Sequence, residues 1–174
     1  DDGVWVALNN GNGTFQAPER VVKDFGYDKG SRVKYLLADL TGGGRADIVG
    51  FYDDGVWVAL NNGNGTFQAP KRVVKDFGYD NGWLVGNHPR FLADLTGDGR
   101  ADIVGFANAG VYVALNNGDG TFQAPKRVVA DFGYVAGGWR VENHPRFLAD
   151  LTGDGKADIV GFANAGVFVA LNNG

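Results

Sequence analysis

Ala93-Asp94-Leu95-Thr96-Gly97-Asp98-Gly99-Arg100-Ala101-Asp102-Ile103-Val104-Gly105-Phe106 is written three times in a chain of 174 residues. It recurs from Ala38 with Gly43 in place of Asp98, and from Ala149 with Lys156 in place of Arg100. The unit around it is 52 to 56 residues long. A period of that size with several short apolar runs marks a propeller or solenoid, because one such unit cannot bury its apolar faces alone and must stack on copies of itself. Asp1 to Asn10 also matches Asp53 to Asn62, Asn108 to Asn117 and Asn164 to Asn173, so both ends carry copies of one strand. With no methionine anywhere, the chain reads as a processed, excised or designed piece.

Inside one unit the apolar residues fall into four short runs, each ended by Gly, Asn or Asp, as strands are. The expected strands are Phe91 to Asp94, Asp102 to Phe106, Val111 to Asn116 and Lys126 to Asp131. In the third, Val111, Val113 and Leu115 point one way and Tyr112 and Ala114 the other, the period of two of a strand covered on both faces. Asn-Gly and Asp-Gly steps between Asn116 and Thr121 favour a hairpin. Pro18, Pro70 and Pro125 precede the fourth strand, where a missing donor does little harm.

Four antiparallel strands repeated at this period predict an all-β chain of β-propeller blades, about three of them. The expected division is an incomplete blade at 1–26, blades at 35–79 and 91–134, and an incomplete blade at 147–174. Three blades leave open faces and edges, so a homodimer closing a six-bladed ring is one expectation and a longer parent propeller the other. The first unit is expected to offer strands at 1–10 and 20–25.

Composition narrows the function. Apolar content is 44%, and no apolar run approaches the roughly 20 residues of a membrane helix. Cysteine is absent, so there is no disulfide framework. A net charge of −4, with Lys and Arg spread through every repeat, argues against a nucleic-acid footprint. No nucleophile–base pair recurs, and the two histidines occupy equivalent places in separate repeats, so catalysis is not expected.

Two motifs carry chemistry. The loop Asp94 to Asp102 presents oxygen side chains at Asp94, Thr96, Asp98 and Asp102, with the carbonyl of Arg100 between. Its twin presents Asp150, Thr152, Asp154 and Asp158, with Lys156. Alternating oxygens around a turn-permitting glycine suit Ca²⁺ better than Mg²⁺. The other reading is that these aspartates cap turns through their own backbone. In the first unit Asp39, Thr41 and Asp47 remain but Gly43 removes one carboxylate, so that loop is expected to be weak or empty.

The second motif is the long link between units, where Asn87-His88-Pro89-Arg90-Phe91 and Asn143-His144-Pro145-Arg146-Phe147 are preceded by Trp83 and Trp139. It is expected beside the turns holding Asn108 and Asn164. An aromatic face with amide, imidazole and guanidinium suits a sugar's C–H face, hydroxyls or acetamido group. The alternative is a well-bonded corner in which Arg pairs with an acidic neighbour. The first unit has a link about three residues shorter, reading Ser31-Arg32-Val33-Lys34-Tyr35, so the fold does not require the motif. The aromatic position Trp5, Trp57, Tyr112 and Phe168 reads as blade packing.

The string Ala-Asp-Leu-Thr-Gly-Asp-Gly-Arg-Ala-Asp-Ile-Val-Gly-Phe followed by Gly-Val-Tyr-Val-Ala-Leu-Asn-Asn-Gly resembles the FG-GAP or integrin-like propeller repeats, most closely those of the fungal Psathyrella velutina lectin. The resemblance covers the whole chain. It implies a seven-bladed propeller, calcium in the Asp-rich hairpins, and pockets between blades for terminal N-acetylglucosamine and, less tightly, sialic acid. Carried onto this chain, it places two intact sugar pockets at the links with His88 and His144. The departures are three units instead of seven, one degraded hairpin and one link without the motif. A protein-binding adhesion module and a scaffold for self-assembly are the alternatives. The compartment is not legible.

Overall fold

The structure, a computed structural model, describes residues 3–23, 25 and 33–174. It is all-β: thirteen strands and one 3-10 helix, Tyr79–Asn81, lie among the described residues. The first sheet pairs β1 (Val4–Val6) with β2 (Glu19–Val22). The next is a four-stranded meander of β3 (Lys34–Ala38), β4 (Asp47–Tyr52), β5 (Gly55–Ala59) and β6 (Lys71–Val74). Its copy follows as β7 (Arg90–Ala93), β8 (Asp102–Ala107), β9 (Gly110–Ala114) and β10 (Lys126–Val129). The last sheet is β11 (Arg146–Ala149), β12 (Asp158–Ala163) and β13 (Gly166–Ala170).

All pairings are antiparallel, and equivalent strands keep one register: Leu37, Leu92 and Leu148 stand opposite Ile48, Ile103 and Ile159. β3, β7 and β11, the first strands of successive sheets, lie next to one another, which sets the sheets side by side as blades around a common axis. The four strands inferred for the middle unit are these strands to within one or two residues. β1 and β2 are shorter than the expected 1–10 and 20–25, and positions 1, 2 and 24 of those spans lie outside the described residues.

The alternation of β8 and β9 sends Val104, Phe106, Val111 and Val113 against the third blade, where they form a core with Phe132, Trp139 and Ile159. An equivalent core, with Val49, Phe51, Val56 and Val58, joins the first full blade to the second. A buried Val or Phe is worth about 1.5–3 kcal/mol, so each junction is an apolar interface stabilising blades that would be marginal alone. Asparagines add polar staples across it. Asn116 Nδ2 donates to the carbonyl of Leu40 in the preceding blade at 2.9 Å, and Asn172 Nδ2 to Leu95 at 2.9 Å.

Candidate functional site

The link before the second full blade is fixed by one aspartate. Asp76 Oδ1 accepts the Phe77 amide at 2.6 Å and the Trp83 indole N–H at 2.8 Å. That clamp holds Phe77 at φ 62°, a left-handed conformation uncommon for a bulky residue. Trp83 then lies over β8 where only glycine leaves room, since a Cβ on Gly105 would meet its ring at 2.5 Å. Its edge meets Tyr112 with ring centroids 6.3 Å apart. Asp131, Phe132 (φ 58°), Trp139, Gly161 and Phe168 repeat the arrangement one unit later.

His88 is buried at the centre of this corner. Its Nδ1 accepts the Leu84 amide at 3.0 Å, which leaves the proton on Nε2, and Nε2 donates to Asn108 Oδ1 at 3.0 Å. The imidazole stands edge-on to Trp83 and to Tyr134. Tyr134 comes from the next link, whose amides cover the turn: Tyr134 N–H donates to the Ala107 carbonyl, and Val135 and Ala136 N–H to that of Asn108. Arg140 lies 3.8 Å over the Tyr134 ring. The corner is therefore built by two consecutive links and one blade turn. Its open face shows Asn108, exposed and with Nδ2 unpaired, half-buried Asn87, Leu84, Val85 and the guanidinium of Arg140.

The second copy of the motif is less enclosed. His144 Nδ1 accepts the Arg140 amide at 3.1 Å, as His88 does from Leu84, but no bond joins its Nε2 to the exposed Asn164. Among the described residues no further link covers the Asn164 turn, and Asn143 is exposed. Trp139 is stacked on Phe132 and edge-on to His144.

The two arginines lie beneath the corners rather than on their open faces. Arg90 donates from Nη1 to the Phe77 carbonyl at 2.9 Å and rests 5.5 Å from the Phe51 ring; Arg146 does the same with Phe132 and Phe106. Their partners are carbonyls and rings, with no acid. Burial pulls both guanidinium groups down to about 10, Arg140 adding to the effect at Arg146. Nε of each, and Nη2 of Arg146, has no protein acceptor.

The first unit shows what replaces the motif. Ser31 and Arg32 of its short link lie outside the described residues. Strand pairing sets Tyr35 opposite Gly50, as Arg90 is opposite Gly105, so Tyr35 rather than Lys34 takes the arginine's place. Tyr52 takes the space of Trp83: a Cβ on Gly50 would strike its ring, and it meets Trp57 edge-on as Trp83 meets Tyr112. Phenolic groups of Tyr35 and Tyr52 join at 3.2 Å. The corner is filled by its own side chains.

In the hairpins the carboxylates serve the backbone. Asp94 Oδ1 accepts the amides of Thr96 and Gly97, and Oδ2 that of Gly99. Desolvation pushes the Asp94 carboxyl up, but these amides outweigh it and hold it below the usual range. Asp150 makes the same bonds through Thr152, Gly153 and Gly155. Buried Asp102 accepts Leu95 and Asn116 amides, and burial raises its carboxyl; Asp158 bonds Leu151 and Asn172 alike. Asp98 faces Arg100, with an ion pair of 2.6 Å, and Asp154 accepts the Lys156 amide. Among the described residues no three acidic or histidine side chains converge closely enough to hold a metal ion. The loop with Gly43 keeps the Asp39 and Asp47 bonds unchanged. The middle acid is thus not needed for the turn.

Asp76, Asp131, Tyr134 and Asn116 were not among the site residues expected from sequence. The string Asp-Phe-Gly-Tyr, present at 24–27, 76–79 and 131–134, is the signal that marks the first three.

Residues 94–161 match the FG-GAP-like repeat family. The whole chain superposes on a lectin of Agrocybe aegerita that specifically recognises non-reducing terminal N-acetylglucosamine, with 54% identity and a TM-score of 0.96, covering 100% of this chain and 44% of that one. This chain therefore spans less than half of the lectin's length. TcdB2-TccC3 without its hypervariable C-terminal region (21% identity, TM-score 0.60, 94% of this chain and 7% of that one) and TcdB2-TccC3-Cdc42 (22%, 0.57, 89% and 7%) share the fold alone. No curated protein sequence matches. Residues 94–161 are thus similar to FG-GAP-like repeats, and the chain has the fold of a β-propeller lectin.

Proposed function

We propose that the chain is a non-catalytic carbohydrate-binding unit whose ligand is a glycan ending in N-acetylglucosamine, held at the corner of His88, Asn108 and Tyr134. The observation that carries this reading is the similarity of the whole of this chain to less than half of the Agrocybe lectin. The corner adds chemical support. Asn108 has a free amide donor, and the rings of Tyr112 and Tyr134, backed by buried Trp83, give an apolar wall. His88 acts as a positioning residue: its donated bond fixes which end of the Asn108 amide faces outward. Sialic acid is the second ligand of this reading, favoured by the exposed Arg140 guanidinium over Tyr134. Copies of the chain closing one ring would present several weak sites together, and avidity would follow.

Retention on immobilised N-acetylglucosamine, with elution by the free sugar, tests the reading. Wild-type protein is expected to be retained and Asn108→Ala to pass through. Equal passage of both favours the adhesion-module alternative.

Calcium in the hairpins Asp94 to Asp102 and Asp150 to Asp158 belongs to the same proposal. It is supported by Asp98 and Asp154, acids the turn does not need, beside the oxygens of Thr96 and Thr152. It requires Asp98 to leave its Arg100 ion pair and both acids to turn in toward Asp94 and Asp102 or Asp150 and Asp158. A bound ion would hold the hairpin and take no part in recognising sugar.

A further inference from the structure

We propose that a second copy of this chain docks on the open face of the third blade, its β2 pairing with β13 and its Phe15 filling the cavity between the second and third blades. The loop after the third strand of each unit is the plug of a blade junction. It has one geometry in the three copies described, shown by the bridges Asn9 to Phe15, Asn61 to Phe67 and Asn116 to Phe122. The second and third loops reach back to the preceding unit: a Cβ on Gly65 would meet Leu8 at 3.0 Å, and one on Gly120 would meet Leu60 at 2.8 Å. Phe122 thereby joins Leu40, Val58 and Ile103, with Leu60 packed alongside, and only 8% of it is exposed.

At the next junction the equivalent residues Leu95, Val113, Leu115 and Ile159 line a cavity of about 490 Å³. It lies where Phe122 sits one blade earlier. The remaining copy of the plug, Phe15, is 64% exposed, and a Cβ on Gly13, the counterpart of Gly65 and Gly120, would meet nothing within 4 Å. Among the described residues the second junction holds no plug and the Phe15 plug meets no junction.

The strands agree with this. Val4-Trp5-Val6 and Val167-Phe168-Val169 are copies, and β1 pairs with β2 through Trp5 to Arg20 and Val6 to Glu19. β13 has no fourth strand among the described residues, whereas its equivalents β5 and β9 pair with β6 and β10. β2 of a second copy therefore fits β13 in the same register, with Arg20 opposite Phe168 and Glu19 opposite Val169, and β13 displaces β1 of that copy from the edge it holds. The face beside that edge is apolar and uncovered: Val167 is 59% exposed where Val111 is 0%, and Phe162 is 44% exposed where Phe106 is 0%. Leu37, 68% exposed at the other end, belongs to the surface that in the interior receives this face, as Leu148 does. The two open surfaces are the two halves of an interface the chain already makes with itself.

Sedimentation equilibrium of the chain without sugar tests the proposal, so its failure leaves the carbohydrate reading standing. The expected species is a dimer of 18.5 kDa chains. Phe15→Ala is expected to raise the dimer dissociation constant at least about tenfold, while Phe122→Ala, which empties a plug inside the chain, lowers the unfolding midpoint instead. The absence of native cysteine makes a second measurement clean. Mild oxidation of a mixture of Phe15→Cys and Leu115→Cys single variants is expected to give a cross-linked heterodimer. A monomeric wild type, unchanged affinity in Phe15→Ala, or no heterodimer would overturn the proposal.

Discussion

Asn116→Ala probes the stapling of one blade to the next. The Asn116 side chain donates to the Leu40 carbonyl at 2.9 Å and to the Ala101 carbonyl at 3.0 Å, and accepts the Gly118 amide at 2.7 Å. Its equivalent Asn61 donates only to Ala46 at 3.0 Å and accepts from Gly63 at 2.8 Å. The two sites share their local bonds and differ by the one reaching the preceding blade. A typical hydrogen bond contributes about 0.5–1.5 kcal/mol net, so Asn116→Ala is expected to cost about 1 kcal/mol more than Asn61→Ala. For a chain of this size that is a further drop of about 2–4 °C in Tm. Asn172→Ala, which loses the Leu95 carbonyl, should resemble Asn116→Ala. Urea unfolding of the three variants measures the difference. Equal losses at all three positions would refute the view that these amides staple blades.

Gly105→Ala puts a methyl 2.5 Å from the Trp83 ring. It is expected to cost about 1–3 kcal/mol by overpacking, read in the same urea experiment, and to weaken sugar retention by shifting Trp83 and His88. Acid stability should depend on Asp94. Its folded carboxyl lies below its unfolded value, so its contribution is present above about pH 4 and lost as pH falls through the folded value. Asp102, raised by burial, acts oppositely, its contribution being lost as pH rises. The drop in urea midpoint between about pH 6 and about pH 3 should therefore be smaller in Asp94→Asn than in the wild type. For calcium, the double variant Asp98→Gly, Asp154→Gly should unfold like the wild type in chelator, since the Gly43 hairpin keeps the same bonds. Added Ca²⁺ should raise the wild-type Tm alone, and a rise in both would remove Asp98 and Asp154 from the ligand set.

The blades were legible because strand signals are local. The alternation of Val111 to Leu115 and the Asn-Gly steps after it lie within one stretch of chain, and repetition showed the unit three times. The neighbourhood of His88 and Asn108 was also readable, since both flank elements whose order the repeat sets. What escaped was long-range or conformational. That Tyr134 closes the corner of the preceding unit depends on how one link lies over another blade's turn. The aspartate that clamps Phe77 and Trp83 acts through a left-handed backbone that composition does not announce. Tyr52 filling the place of Trp83 is a volume exchange between residues 31 positions apart in different units, visible only when both corners are superposed on Gly50 and Gly105. Arg90 could be read as exposed or buried from its string, and its burial depends on the Phe51 ring across the blade junction.

Calorimetric titration of N-acetylglucosamine into the wild-type chain, with Asn108→Ala as control, tests the carbohydrate reading most directly. The prediction is saturable heat in the millimolar range or tighter, lost or strongly weakened in Asn108→Ala while its urea midpoint stays within about 1 kcal/mol of the wild type. No heat at millimolar sugar from a folded wild type, or equal binding in both, would contradict a sugar site at the His88–Asn108 corner.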